Sequence, residues 1–180
     1  MVDLLLELVK SLLIIFPAYA ANGFPPLARG SLPIDFKRKW SDGNRILGDG
    51  KTIEGLSIGI IAGTFVGVIE SMVQPQINSY ASAFGMQIPA MSFSVALMIS
   101  LGTLFGDICG SFIKRRLKLQ RGKEVLFLDQ WNFIIGSILF IFLLTPITVW
   151  MVIIMLLITL VVHRLANIAG HKLKVKREPW

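Results

Sequence analysis

Five residues at the end of one apolar run have the types and spacing for phosphate chemistry. Asp107, Ser111, Lys114, Arg115 and Lys118 fall at helical intervals, and Asp129 opens the next apolar run. If the helix continues through them, one face presents a carboxylate, a hydroxyl and a ladder of cations. Charge inside an apolar span is costly and tends to be functional. Hard cations such as Mg²⁺ take carboxylate oxygens and share them with substrate phosphates, while Lys and Arg are the natural partners of those phosphates. Asp107 and Asp129 together could hold one or two ions over a triphosphate. Plainer assignments stand beside these: an interfacial ion pair of Asp107 with Lys114 or Arg115, and a helix N-cap for Asp129.

A second group precedes another apolar run: Asp42, Asn44, Arg45, then Gly48-Asp49-Gly50-Lys51-Thr52. It looks like the end of a Walker A loop, but Arg45 stands where the first glycine belongs and no apolar strand precedes it, which argues against a P-loop. A Gly-rich, lysine-bearing loop at a helix N-terminus still suits an anion, and a plain turn is the simpler alternative. Asn22-Gly23-Phe24-Pro25-Pro26 breaks the first run sharply and either lines a cavity or stops the helix. Glu70 has no obvious partner, and His163 and His171 lack metal-ligand spacing. No GxSxG elbow, HExxH, zinc cluster or CDP-alcohol phosphotransferase pattern occurs, and Cys109 is the only cysteine, so no intrachain disulfide exists.

The elements that must position these residues follow from composition. Of 180 residues 54% are hydrophobic and only 16% charged, yet the net charge is +7. So apolar a basic chain points to a membrane protein with its charge in loops rather than to nucleic acid. A helical span takes about 20 mostly apolar residues. Windows at about 4–21, 53–73, 89–110, 127–145 and 147–165 qualify, the last two split by a tight turn at Pro146. Between the first two windows lie six Lys or Arg, between the third and fourth another six, and Arg164 at the end of the last window and the tail after it together supply five. By the positive-inside rule these three segments are cytoplasmic.

The predicted architecture is therefore all-α and polytopic, a single domain over 1–180, with five transmembrane helices, N-terminus outside and C-terminus cytoplasmic. Cytoplasmic loops are expected at about 22–52 and 111–126, and a cytoplasmic tail at 166–180. Asp3, Glu7 and Lys10 argue against a cleaved signal peptide, and the last two are spaced to pair near the outer end of the first helix. Gly55, Gly59, Gly63, Gly67 and Ser71, then Gly102, Gly106 and Gly110, recur every fourth residue. Such stripes let helix backbones approach closely in lipid.

Gly106-Asp107-x-x-x-Ser111-x-x-Lys114-Arg115 resembles the signature of CTP-dependent phosphatidate cytidylyltransferases, although the Pro-Gly-His-Gly-Gly stretch that bacterial members place before the later aspartate is absent ahead of Asp129. The small size, the Asn22-Gly23 break with Pro25-Pro26, and Leu47-Gly48-Asp49-Gly50-Lys51-Thr52 resemble instead the archaeal branch, the CDP-archaeol synthases. That resemblance implies a Mg²⁺-dependent reaction of CTP with 2,3-bis-O-(geranylgeranyl)-sn-glycerol 1-phosphate, giving CDP-archaeol and pyrophosphate. It implies catalytic roles for Asp107, Lys114 and Asp129, with metal on the two aspartates. It implies substrate binding by Ser111, Lys114 and Arg115, with Asp49, Lys51 and Thr52 from the first loop; Asn22, Asp42 and Asn44 are expected to assist. The setting would be the plasma membrane with the site facing the cytoplasm, and a homodimer is left open. The alternative is a small membrane transporter or channel subunit, favoured by the glycine stripes and Glu70.

Overall fold

The structure, a computed structural model, describes residues 4–120 and 122–174. Asp3, Arg121, Lys176 and Arg177, counted above, lie outside them. Five helices follow in order: α1 (Leu4–Gly23), α2 (Ile53–Ser82), α3 (Phe93–Arg116), α4 (Leu128–Ile141) and α5 (Val149–Lys172), with a short 3-10 turn at Pro25–Ala28. Four segments are long and apolar enough to cross a membrane, namely Leu4–Ala28 (α1 with the 3-10 turn), α2, α3 and α5; α4 is a shorter apolar helix.

Most helices overrun their apolar windows because their ends are capped or continue in polar residues. α2 and α3 start where Thr52 and Ser92 accept the N–H groups of Gly55 and Val95, at 3.1 and 3.3 Å. The predicted start at 89 fails because Pro89 to Ser92 is non-helical chain tied to α2: Gln74 donates to the Pro89 carbonyl and accepts from Met91 N–H. α3 carries Ser111, Lys114 and Arg115 within the helix, not in a loop from 111; it ends at Arg116, so Lys118 (φ 57°) leaves the expected ladder. α4 is cut short at Ile141, and the expected tight turn is a seven-residue link, 142–148. Proline disfavours helix in the residue before it, and here the unwinding begins earlier still.

Large apolar side chains cover the outside of the bundle as well as its core: Ile61, Phe65, Met72, Leu139, Leu143 and Val161 face outward, while small residues line the helix seams. A methyl group on Gly59 or Gly63 would collide with α1 at Ala21 or Pro17, and one on Gly67 with Ala96 of α3. On the other seam Gly102 and Gly106 press against the Gly136 and Asn132 backbone of α4. Gly136 completes from α4 what the α3 stripe begins. Between these seams, Ile14, Ile15, Ile99, Phe133, Ile134, Met151 and Met155 form the core.

At one end of the bundle the Glu7–Lys10 pair is present at 3.2 Å. Glu7 also accepts from Thr148 Oγ1, whose oxygen caps α5 at Met151 N–H, so α1 and α5 are joined there. At the other end the 24–52 segment folds over the helix ends. Two isolated β-bridges, Pro33 with Thr52 and Lys39 with Arg45, shape it.

Candidate active site

A cavity of about 1010 Å³ opens at the end where α2 begins, lined by the first loop, α2, α3, the 122–129 segment and α5. Lys51, at the end of the loop, reaches Asp107 of α3 and forms an ion pair with Oδ2. Lys114, seven residues after Asp107, pairs with both oxygens of Asp129 at 2.6 and 2.8 Å. Seven residues is about two turns, so Asp107 and Lys114 share a face. Neither simpler assignment holds: Asp107 does not pair with Lys114 or Arg115, and Phe127, at φ 67°, occupies the N-cap position of α4. Asp129 sits in the first turn and takes Val125 N–H at 3.0 Å, which closes the 125–129 turn.

Both ion pairs face the same space, and the lining carries Arg29, Lys37, Lys51, Lys114 and Lys123 against Asp49, Asp107 and Asp129. Five cations against three carboxylates leave a positive balance that suits a polyphosphate. The volume sits at the upper end of the roughly 300–1,000 Å³ range for ligand pockets. Among the described residues no three His, Cys, Asp or Glu side chains gather as a metal cage. Two carboxylates on one cavity nevertheless fit Mg²⁺, which commonly takes one or two protein carboxylates and completes its shell with water and phosphate oxygens.

The lysine loop is held by Asp35, whose side chain is fully buried. It accepts Arg45 Nε and Nη2 at 3.1 and 2.7 Å, the N–H groups of Leu47 and Gly48 at 3.0 and 2.9 Å, and Lys37 N–H at 3.1 Å. Burial pushes its carboxyl up, but Arg45 and these backbone donors outweigh it and hold the group well below the usual carboxylate range. Arg45 is raised in turn, first by Asp35 and further by Asp49, to which it pairs at 2.8 Å.

The chain matches the family described as CarS-like, CDP-archaeol synthase, over residues 1–180. It belongs to the CDP-archaeol synthase family. A CDP-archaeol synthase of Pyrococcus horikoshii is 42% identical over 97% of this chain and 98% of the relative. One from Methanocaldococcus jannaschii is 39% identical over 96% and 97%. A solved structure described as an intramembrane enzyme for archaeal membrane lipid biosynthesis superposes with a TM-score of 0.76 at 34% identity, covering 89% of this chain and 94% of that one. Membership of this family makes the chain an enzyme and sets aside the transporter or channel reading.

Within this CDP-archaeol synthase fold the expected residues divide. Asn22, Asp49, Lys51, Thr52, Asp107, Lys114 and Asp129 line the cavity, Thr52 doubling as the cap of α2. Asp42, Asn44, Ser111 and Arg115 do not. Asp42 closes a turn on Asn44 N–H at 3.0 Å and pairs with Arg116 at 3.1 Å, behind the loop. Its carboxyl is lowered by the Asn44 backbone and side chain, an effect of the turn. Arg115 lies about 100° around the helix from Lys114 and packs its Cδ 3.9 Å from where a Gly48 side chain would begin.

Several lining residues carried no functional weight in the sequence. Arg29, Lys37 and Lys123 counted there only as topological charge. His163 and Asn167 of α5, four residues apart, contact each other at 3.3 Å, and His163 lies against Phe133 with ring centroids 5.9 Å apart. Their four-residue spacing on an otherwise apolar helix was the available signal.

Proposed function

We propose that this chain transfers the cytidylyl group of CTP to 2,3-bis-O-(geranylgeranyl)-sn-glycerol 1-phosphate, giving CDP-archaeol and pyrophosphate. The observation that carries the proposal is the pair of Lys–Asp contacts, Lys51–Asp107 and Lys114–Asp129, facing one cation-rich cavity. A phosphate monoester oxygen of the lipid attacks the α-phosphorus of CTP; the new P–O bond forms as the bond to the β-phosphate bridging oxygen breaks, and pyrophosphate leaves with that electron pair. The lipid phosphate is already anionic and needs little base catalysis. The barrier is repulsion between anions, so positioning and charge stabilisation supply the catalysis.

Lys51 and Lys114 move from their carboxylates onto the triphosphate, and Arg29, Lys37 and Lys123 hold the remaining phosphate charge. Asp107 and Asp129 are the carboxylates that would then hold Mg²⁺, whose charge would help offset that of the phosphates. The proposed topology is five spans with the N-terminus outside and the cavity at the cytoplasmic face of the plasma membrane. The three basic segments support that orientation. All of these groups come from one chain, so the reaction is proposed for a single protomer whether or not it pairs as a homodimer.

The test is purified protein with labelled CTP, Mg²⁺ and the ether lipid phosphate, scored for CDP-lipid and pyrophosphate. Asp107→Asn is expected to lower turnover by about 10²-fold or more, and a chelator to abolish it until Mg²⁺ is restored. Absence of product with ether and ester lipid phosphates alike would sink the proposal, and near-normal turnover in Asp107→Asn would remove the role of that carboxylate.

A further inference from the structure

Asp35 lies outside the cavity lining, yet its fully buried carboxylate organises two lysines that do line it. From the geometry we infer that Asp35 is a positioning residue that presents Lys37 and Lys51 to the phosphates of CTP; this rests on the cytidylyl-transfer reading above. One oxygen, Oδ2, accepts Arg45 Nε, Leu47 N–H and Gly48 N–H, and the other, Oδ1, accepts Arg45 Nη2 and Lys37 N–H. Five donors on one carboxylate is an arrangement that no neutral side chain of this size can satisfy.

Each half of the network leads to a lysine. On the Oδ1 side, Phe36 and Lys37 both adopt left-handed backbone, with φ of 47° and 63°. That region is unfavourable for residues with a side chain. The Lys37 N–H on Asp35 stabilises the turn that brings Lys37 to the cavity. On the Oδ2 side, Gly48 (φ 94°) gives its N–H to Asp35, and the chain reverses so that the Lys51 carbonyl accepts Ile34 N–H at 2.8 Å. Lys51 is thereby locked beside residue 34 with its ammonium on Asp107. Arg116 ties the same loop to α3 by donating to the Arg45 carbonyl at 2.6 Å. The loop backbone, not the flexible lysine stem, therefore fixes where the charge is delivered.

Asp35→Asn keeps the shape but sets an NH₂ group against donors in either orientation of the amide. Since Lys51 binds phosphate before and during the reaction, the loss falls on KM and not on kcat. With CTP as the varied substrate, D35N is expected to raise KM about tenfold while kcat stays within about threefold. In a K51A background the same change should raise KM by no more than about threefold, because only the half of the network that leads to Lys37 is left to act on. A purely structural role would instead lower thermal stability and multiply fully with K51A.

An unchanged KM in folded D35N, or an undiminished effect in the K51A background, overturns the inference while leaving the proposed reaction intact. An unchanged KM in K51A alone removes the phosphate role of Lys51 and this inference with it, a different signature. Should D35N fail to fold, Gly48→Ala strains the same turn at a position that requires positive φ. The same rise in KM is expected there, and its absence in folded G48A overturns the inference equally.

Discussion

Gly106 is where a single methyl group tests how tightly the two carboxylate-bearing helices must sit. A Cβ there would meet the Asn132 carbonyl oxygen first, then the Asn132 carbonyl carbon at 2.9 Å and Gly136 Cα at 3.1 Å. All three are backbone atoms of α4, so no side chain can swing aside. Bringing 2.9 Å up to an ordinary contact of 3.4 Å opens the α3–α4 seam by at least 0.5 Å. Overpacking of this kind costs about 1–3 kcal/mol, or roughly 2–12 °C in melting temperature for a chain of this size. The same displacement separates Asp107, next in sequence to Gly106, from Asp129, one turn before Asn132. A misplacement near 1 Å can cost about 10²-fold in rate, so Gly106→Ala should lose at least about tenfold in kcat. Two comparisons sharpen the measurement. Gly110→Ala meets the Asn132 side chain first, whose amide end can rotate, and should fall between G106A and the parent; Gly23→Ala meets nothing within 4 Å and should match the parent. Melting in detergent followed by tryptophan fluorescence, with initial rates on the same preparations, gives both readouts. If G106A and G23A were indistinguishable in both, the claim that backbone proximity sets the site would be wrong.

Two further outcomes follow from the ends of the molecule. Because the folded Asp35 carboxyl is depressed below its ordinary 3.8, its contribution to loop stability is complete above that value and is lost as pH falls through it toward the folded pKa. Protease protection of the 31–52 loop should therefore be flat from pH 7 to about 5 and decline below about 4, and a change between pH 7 and 5 would contradict this assignment. At the opposite end, Thr148→Val removes both the α5 cap and the bond to Glu7. It should cost about 1–3 kcal/mol of stability with the KM for CTP unchanged; a raised KM at normal stability would mean the two ends are coupled.

Much of this arrangement was legible in the sequence, and the reasons for the exceptions are physical. The four-residue glycine spacing reports close helix packing and the apolar runs report burial in a helix, both forces that act locally, so they predicted the seams and the helices well. Asp107, Lys114 and Asp129 were recognisable because charge beside apolar runs is rare. Their partners were not. Spacing along α3 offered Asp107 only local cations, whereas Lys51 comes from a separate loop and leaves Lys114 for Asp129. Asp42 and Asn44 satisfied each other in a turn that composition alone cannot orient. Asp35, with no motif around it, gains its importance only when five donors converge on it. Helix ends were the least legible because hydropathy ignores caps such as Thr52, Ser92 and Thr148.

The link between α4 and α5 bears on how the chain is made. Residues 142–148 read Phe-Leu-Leu-Thr-Pro-Ile-Thr, with Phe142, Leu143 and Leu144 exposed at the tip of the hairpin. The link from α2 to α3, 83–92, is equally without formal charge. In the proposed orientation these are the segments that must cross the bilayer during biosynthesis, and they cross without a formal charge. The charged residues described at the outer end of α1, Glu7 and Lys10, cancel as an ion pair. Insertion thus moves no net charge from these segments against the membrane potential. The α4–α5 hairpin can enter as a unit, while every lysine and arginine of the cavity stays on the side where it was synthesised.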